Sequence, residues 1–173
     1  HLTTVRAALQ EKQEKMKADK LASTPTVNHL LWKPNMEYQG LKCLNEDPWF
    51  VTVPNFLSEE EMDEITEKTA PRAKERKHDN RADLHTYVPD ELAKNCRAKI
   101  AELMKMPEGH LESLQYIEYK PGGFFGPHRD ACGNRCVTVF IYLDTLSVGE
   151  GGETHFHELN LRVRPTRGTL VMF

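Results

Sequence analysis

The stretch LESLQYIEYKPGGFFGPHRDACGNRCVTVFIYLD, residues 111–144, decides the fold, because apolar and polar residues alternate along much of it. Alternation with a period of two is typical of β-strands that have one buried face. The predicted strands are LESLQYIEYK, PHRD and CVTVFIYLD, and the glycine-containing segments between them are typical of turns. Two further segments, ETHFHEL and NLRVRPTRGTLVMF, extend the pattern to Phe173. The C-terminal half is therefore predicted to be a β-sandwich or barrel.

Helices are predicted before these strands. Ser58, followed three residues later by Glu61, forms a capping box that predicts a helix over residues 59–69. A second helix is predicted from Pro89 to Met106, where apolar residues recur at three- and four-residue steps. Helices followed by a run of short strands indicate the α+β class.

Two segments are rich in charge. Residues 71–85, PRAKERKHDNRADLH, are predicted to be a flexible solvated loop whose function, if any, would be to meet a substrate. Residues 1–40 are predicted to form a charged helical N-terminal extension and linker, with the domain proper over residues 41–173.

The composition is that of an ordinary soluble globular chain. With 173 residues it fits one domain with an extension, and its net charge of −3 does not predict nucleic-acid binding. No apolar run approaches the roughly 18 residues of a membrane span, so no membrane segment is predicted.

His128 and Asp130 are the candidate metal ligands. On the predicted strand PHRD they are two residues apart, so their side chains point to the same face. The order His-Arg-Asp also occurs in protein kinases, where an Asn five residues after the Asp holds magnesium. Here Asn134 comes four residues after Asp130, and the other kinase motifs are not present in usable order. A His and a carboxylate joined by one further His are instead the facial triad of non-haem Fe(II) oxygenases.

Several motifs, taken in order, resemble the prolyl 4-hydroxylase group of Fe(II)/2-oxoglutarate-dependent dioxygenases. The resemblance covers residues 48–173, and it is the combination of motifs that makes it specific. The motifs are PWFVTVPNFLSEEEMDEI, Tyr119, Gly122-Gly123, Pro127, His128, Asp130, Asn134-Arg135, TVFIYLD, GEGGETHF and VRPTRGTLVMF.

The resemblance implies a double-stranded β-helix, or jelly roll, and a reaction. The expected reaction is hydroxylation of a prolyl residue in a peptide or protein, with decarboxylation of 2-oxoglutarate to succinate. Fe(II), 2-oxoglutarate and dioxygen are the implied cofactor and cosubstrates, and ascorbate is a further expected cofactor. His128 and Asp130 are implied to bind the iron and to be catalytic.

Three residues are implied to serve the cosubstrate. Tyr119 would hydrogen-bond 2-oxoglutarate, and Thr154 would line its pocket. Tyr142 lies on an adjacent inward strand, where an ordinary aromatic residue of the barrel core is an equally good interpretation.

The sequence departs from the family pattern at its end. The third iron ligand and the basic residue that pairs with 2-oxoglutarate are both expected beyond Phe173. The domain is therefore expected to be C-terminally incomplete, without its last strands.

Two other functions stay open. One is a catalytically silent domain of the same fold that binds a peptide. The other is a cupin-like metalloprotein that uses His155 and His157 together with Glu158, although surface histidines are the favoured interpretation of this pair. Three arginines, which could neutralise a carboxylate, are expected to be solvated strand charges; they are Arg162, Arg164 and Arg167.

Overall fold

The computed structural model describes residues 32–130 and 135–173, in which the compact unit starts at Lys33. The predicted N-terminal helix lies outside the described residues. The elements within the described part are β1 (Lys42–Glu46), β2 (Trp49–Val53), α1 (Glu59–Thr69), β3 (Lys74–His78), β4 (Arg81–Tyr87), α2 (Asp90–Met104), β5 (Gln115–Glu118), β6 (Phe124–Phe125), β7 (Val139–Ile141), β8 (Thr154–Phe156), β9 (Leu161–Val163) and β10 (Leu170–Met172). None of the described helices is long and apolar enough to cross a membrane.

Both predicted helices are confirmed. The Ser58 hydroxyl accepts a hydrogen bond from the backbone N–H of Glu61 at 3.2 Å, and the Glu61 carboxylate accepts one from the Ser58 N–H at 2.8 Å. This reciprocal capping box satisfies two N–H groups that the first turn of α1 leaves unpaired. Helix α2 ends at Met104, because Lys105 adopts a left-handed conformation with φ of 52°.

The central sheet has the strand order β1-β2-β10-β7, with antiparallel pairing throughout. Strands β2 and β10 lie in its middle, and Leu170, Val171 and Met172 are at most 1 % exposed. Strands that are buried on both faces need continuous apolar runs. The apolar runs FVTV of β2 and LVM of β10 are of this kind, and they pair with each other in the core.

Aromatic side chains join this central sheet to the small sheet β8-β9. Phe50 of β2 and Phe156 of β8 meet edge to face, with their ring centroids 4.5 Å apart. Phe173 contacts both rings, at 6.0 and 4.7 Å, and Phe140 of β7 extends the cluster to Tyr142. Edge-to-face pairs contribute about 0.5–1.5 kcal/mol beyond the area they bury. The cluster therefore packs β8 against the central sheet.

The prediction of a loop over residues 71–85 was wrong. Strands β3 and β4 form an antiparallel hairpin there, and β4 also pairs with β5 and β6. The arginine of one strand lies directly opposite an aspartate of the other, Arg76 opposite Asp83. Because an opposite-charge pair across two strands is favourable, a highly charged sequence can form a sheet here.

Asp83 is the buried centre of this hairpin. Its side chain is inaccessible to solvent, and Arg76 binds it in a bidentate manner at 2.9 and 3.1 Å. The Arg81 guanidinium donates to the same carboxylate. Burial by itself would raise the pKa of Asp83, but the hydrogen bonds from the two arginines outweigh it and hold the pKa below its ordinary value.

Replacing Asp83 should therefore destabilise the protein in a pH-dependent way. We expect Asp83→Asn to lower the free energy of unfolding by about 1–3 kcal/mol at pH 7, because two arginines lose a charged acceptor. A carboxyl whose pKa is depressed stabilises the fold above its unfolded pKa and loses this contribution as the pH falls. The difference from the unsubstituted protein should shrink below about pH 4. Urea unfolding at several pH values measures it.

Asp79 in the exposed turn of the same hairpin provides the control. Asp79→Asn should change the unfolding free energy by less than about 0.5 kcal/mol. Equal effects of the two substitutions would contradict the assigned role of Asp83.

Candidate functional site

His128 and Asp130 meet in the segment that follows β6. The Nε2 atom of His128 lies 3.2 Å from Oδ1 of Asp130. The predicted strand PHRD is absent, because β6 ends at Phe125 and residues 127–130 have no strand partner among the described residues. The two predicted ligands are thus neighbours, but strand alternation is not what brings them together.

A hydrogen bond determines which nitrogen of His128 faces the carboxylate. Nδ1 lies 2.8 Å from the backbone carbonyl oxygen of Gly126. A carbonyl oxygen only accepts hydrogen bonds, so Nδ1 carries the hydrogen. In the neutral ring, Nε2 then presents a lone pair to a carboxylate oxygen. Two lone pairs at 3.2 Å are favourable only when a proton or a metal cation lies between them.

The donor set and its exposure fit Fe(II). The side chains of His128 and Asp130 are 36 % and 28 % exposed, so further ligands can reach a cation that they hold. One imidazole and one carboxylate are two members of the facial triad. Within residues 32–130 and 135–173, no third His, Cys, Asp or Glu joins them in a metal-binding cluster.

Asn80, in the β3–β4 turn, fixes the segment that carries His128. Its backbone carbonyl accepts from the Gly126 N–H at 2.8 Å, and its side-chain amide donates to the carbonyl of Pro127 at 3.2 Å. The contact is so close that a Cβ on Gly126 would lie 1.8 Å from Oδ1 of Asn80. Only glycine therefore fits at position 126 with Asn80 in place.

We expect Gly126→Ala to weaken divalent-metal binding about tenfold. The new methyl group displaces the Asn80 side chain, and the carbonyl that orients His128 moves with it. Isothermal titration with Co(II) measures the affinity. Gly109→Ala is the matched control, since no atom lies within 4 Å of its added Cβ. Unchanged Co(II) affinity in Gly126→Ala would argue against this account of the segment.

Tyr142 and Thr154, both predicted to line a cosubstrate pocket, are in direct contact. Their hydroxyl oxygens lie 2.8 Å apart, and the Tyr142 hydroxyl also donates to the Val163 carbonyl at 3.1 Å. A phenol has one hydrogen, so Thr154 is the donor in the bond between the two. Thr154 shares a strand face with Phe156 of the aromatic cluster, which directs it inward. Burial raises the pKa of Tyr142.

Tyr119 directly follows β5 and is 46 % exposed. Its pKa is raised, chiefly because the phenol is partly desolvated. Within the described residues, no hydrogen bond connects it to the His128–Asp130 pair or to the Tyr142–Thr154 pair. The structure therefore brings four of the five predicted residues together as two pairs, and Tyr119 forms a hydrogen bond to neither pair.

His155 and His157 are close to each other without forming a metal cluster. Their ring centroids lie 3.9 Å apart, but β8 ends at Phe156 and His157 begins a turn. Glu158, the third member of the cupin-like interpretation, pairs with Arg129 at 2.8 Å instead. The described residues contain no group of three potential ligands here. The cupin-like function is not favoured.

The three C-terminal arginines are all paired in the structure. Arg162 and Arg164 lie 3.6 and 3.7 Å from the Glu153 carboxylate. Arg167 binds the carboxylates of Glu59 and Asp63 at 2.6 and 2.5 Å, and its guanidinium donates to the Leu143 carbonyl. The prediction of a solvated charge was wrong for Arg167. Its guanidinium connects the turn before β10 to helix α1.

Comparison with known proteins finds similarity to one family. Residues 114–173 match the model of the 2OG-Fe(II) oxygenase superfamily. Probable prolyl 4-hydroxylase 11 of Arabidopsis thaliana is 35% identical over 91 residues, which are 49% of this chain and 32% of that protein. Probable prolyl 4-hydroxylase 3 of the same plant is 27% identical over 146 residues, which are 71% of this chain and 50% of the relative.

A solved structure is similar to this chain over most of its length. The 2OG complex of the viral collagen prolyl hydroxylase from Paramecium Bursaria Chlorella virus-1 superposes with a TM-score of 0.58 at 25% identity, covering 72% of this chain and 76% of the other. The predicted jelly-roll core is confirmed. The fold and the candidate site agree with the 2OG-Fe(II) oxygenase superfamily, whose model residues 114–173 match. Within this class, the chain is similar to the prolyl 4-hydroxylases. It spans a third to a half of the length of these two curated relatives.

Proposed function

We propose that the protein hydroxylates a prolyl residue of a peptide or protein substrate, with Fe(II) as cofactor and 2-oxoglutarate and dioxygen as cosubstrates. The observation that carries this proposal is the approach of His128 Nε2 to the Asp130 carboxylate, which places two potential metal donors 3.2 Å apart inside a segment that matches the oxygenase family. Prolyl hydroxylation in particular is supported by the relatives, two of which are named prolyl 4-hydroxylases.

Fe(II) would be held by Nε2 of His128 and by the carboxylate of Asp130. When bound, it supplies the activation of dioxygen and 2-oxoglutarate that converts a C–H bond to C–OH and 2-oxoglutarate to succinate and carbon dioxide. One further histidine would complete the facial triad. The protein orients His128 through the Gly126 carbonyl, so that its free lone pair faces Asp130 and would be available to the iron.

The hydroxyl groups of Thr154 and Tyr119 would contact 2-oxoglutarate. Tyr142 donates its only hydrogen to the Val163 carbonyl, so it can offer none to a carboxylate while that bond persists. The Thr154 hydroxyl donates to the Tyr142 oxygen, which keeps the Thr154 side chain in position. The hydroxyl can rotate to donate to a ligand instead. Tyr142 is thus assigned a positioning role, and the exposed phenol of Tyr119 is the second donor.

Removing either ligand should abolish iron binding and turnover. His128→Ala and Asp130→Ala are each expected to lower Fe(II) affinity at least a hundredfold, since each removes one of three protein ligands. Turnover is measured as succinate formed from 2-oxoglutarate, and hydroxylation as the addition of one oxygen atom to a proline-containing peptide. Both assays use the full-length natural protein under controlled oxygen.

His155→Ala is the matched control, because it removes a histidine that lies outside the proposed metal site. It should leave Fe(II) affinity and succinate formation unchanged. Loss of iron binding in His155→Ala, with His128→Ala unaffected, would favour the cupin-like function. Unchanged turnover in His128→Ala would refute the proposed enzyme.

Tyr119→Phe should raise the KM for 2-oxoglutarate about tenfold or more, because a hydrogen bond to a charged group contributes about 1.5–3 kcal/mol. Tyr116→Phe removes a phenol on the opposite face of β5 and is the control. The Tyr116 hydroxyl donates to Glu118 at 3.3 Å, and its pKa is raised to about 12, mainly by burial. Similar KM values in Tyr119→Phe and the unsubstituted enzyme would remove Tyr119 from the cosubstrate site.

A further inference from the structure

A column of stacked side chains connects the β3–β4 hairpin to the candidate metal ligand. The Arg81 guanidinium carbon lies 4.0 Å above the centre of the Phe125 ring. The rings of Phe125 and His128 are stacked, with centroids 3.5 Å apart and planes inclined by 13°. Arg81 and Phe125 also lie directly opposite each other in the antiparallel pairing of β4 with β6. The backbone pairing therefore already places these two side chains next to each other.

The upper end of this column is held firmly. Arg81 donates to the buried carboxylate of Asp83, which Arg76 also binds, and only 15% of the Arg81 side chain is exposed. A guanidinium that is fixed by a carboxylate and lies over an aromatic face adds a cation–π attraction to the ion pair. Phe125 is thereby held between two planar groups.

The lower end of the column fixes the plane of the His128 ring. Stacking on Phe125 restricts the tilt of the imidazole plane. The hydrogen bond from Nδ1 to the Gly126 carbonyl restricts the rotation of the ring. Together they leave Nε2 facing Asp130 at 3.2 Å. An imidazole in one orientation loses less conformational freedom on binding a metal than a mobile one does.

We propose that Phe125 and Arg81 are positioning residues for His128 and raise the metal affinity of the site without touching the metal. This inference rests on the proposed iron site. It gives the charged hairpin, with its buried Asp83, a function in assembling that site.

Co(II) titration of the full-length natural protein, followed by its visible absorption, tests the inference. Phe125→Leu keeps an apolar side chain but removes the flat face, and should weaken Co(II) binding about tenfold, the lower range for groups that orient a metal ligand. Phe125→Tyr keeps the ring and should restore the affinity. Phe124→Leu is the matched control, because Phe124 is the neighbouring exposed aromatic residue and pairs with Ala82 on the other face of β6.

Thermal unfolding of each variant separates positioning from loss of fold. If Phe125→Leu does not fold, Arg81→Lys tests the positioning role instead. This substitution keeps the positive charge beside Asp83 but removes the planar guanidinium, and it should lower the Co(II) affinity several-fold. Equal affinities in Phe125→Leu and Phe124→Leu, or an unchanged affinity in Arg81→Lys, would overturn the positioning role. His128→Ala tests the proposed metal site separately from the positioning role of Phe125 and Arg81. If Co(II) still binds to the His128→Ala variant, the proposed metal site is overturned.

Discussion

The hydrogen bond between Nδ1 of His128 and the Gly126 carbonyl is the constraint on which the candidate site depends. By placing the ring hydrogen on Nδ1, it turns the lone pair of Nε2 towards the Asp130 carboxylate. Such an arrangement is favourable when a proton or a metal cation lies between the two atoms, whereas the opposite tautomer would itself donate a hydrogen bond to Asp130. The Gly126 carbonyl thus keeps Nε2 available as a metal donor.

Two parts of the fold hold the other residues of the proposed site. The aromatic cluster around Phe156 directs Thr154 inward, where it meets Tyr142. The buried Asp83 carboxylate holds the hairpin whose turn residue, Asn80, fixes the segment before His128. Apolar packing therefore positions the residues proposed to serve the cosubstrate, whereas a buried charge supports the segment that carries the proposed metal ligands.

The sequence was sufficient for features that depend on local patterns. The capping box at Ser58 and the three- and four-residue apolar steps of α2 are local, and both helices form close to where they are predicted. His128 and Asp130 were proposed from strand alternation, which the structure does not show there, and from the motifs around them that resemble the oxygenase family. The hairpin was missed because the charges of Arg76 and Arg81 are neutralised by Asp83, a pairing that periodicity does not reveal. The stack on Phe125 depends on the long-range pairing of β4 with β6, which leaves no local sign in the sequence.

The most direct test of the account is nitrogen-15 NMR of the histidine side chains while Zn(II), a diamagnetic substitute for Fe(II), is added to the full-length natural protein. We predict that His128 keeps its hydrogen on Nδ1 and that the signal of its Nε2 shifts on metal binding, with a stoichiometry of one metal ion per site. A His128 ring that carries its hydrogen on Nε2, or whose signals do not change as Zn(II) binds, would contradict the assignment of this pair as the metal centre.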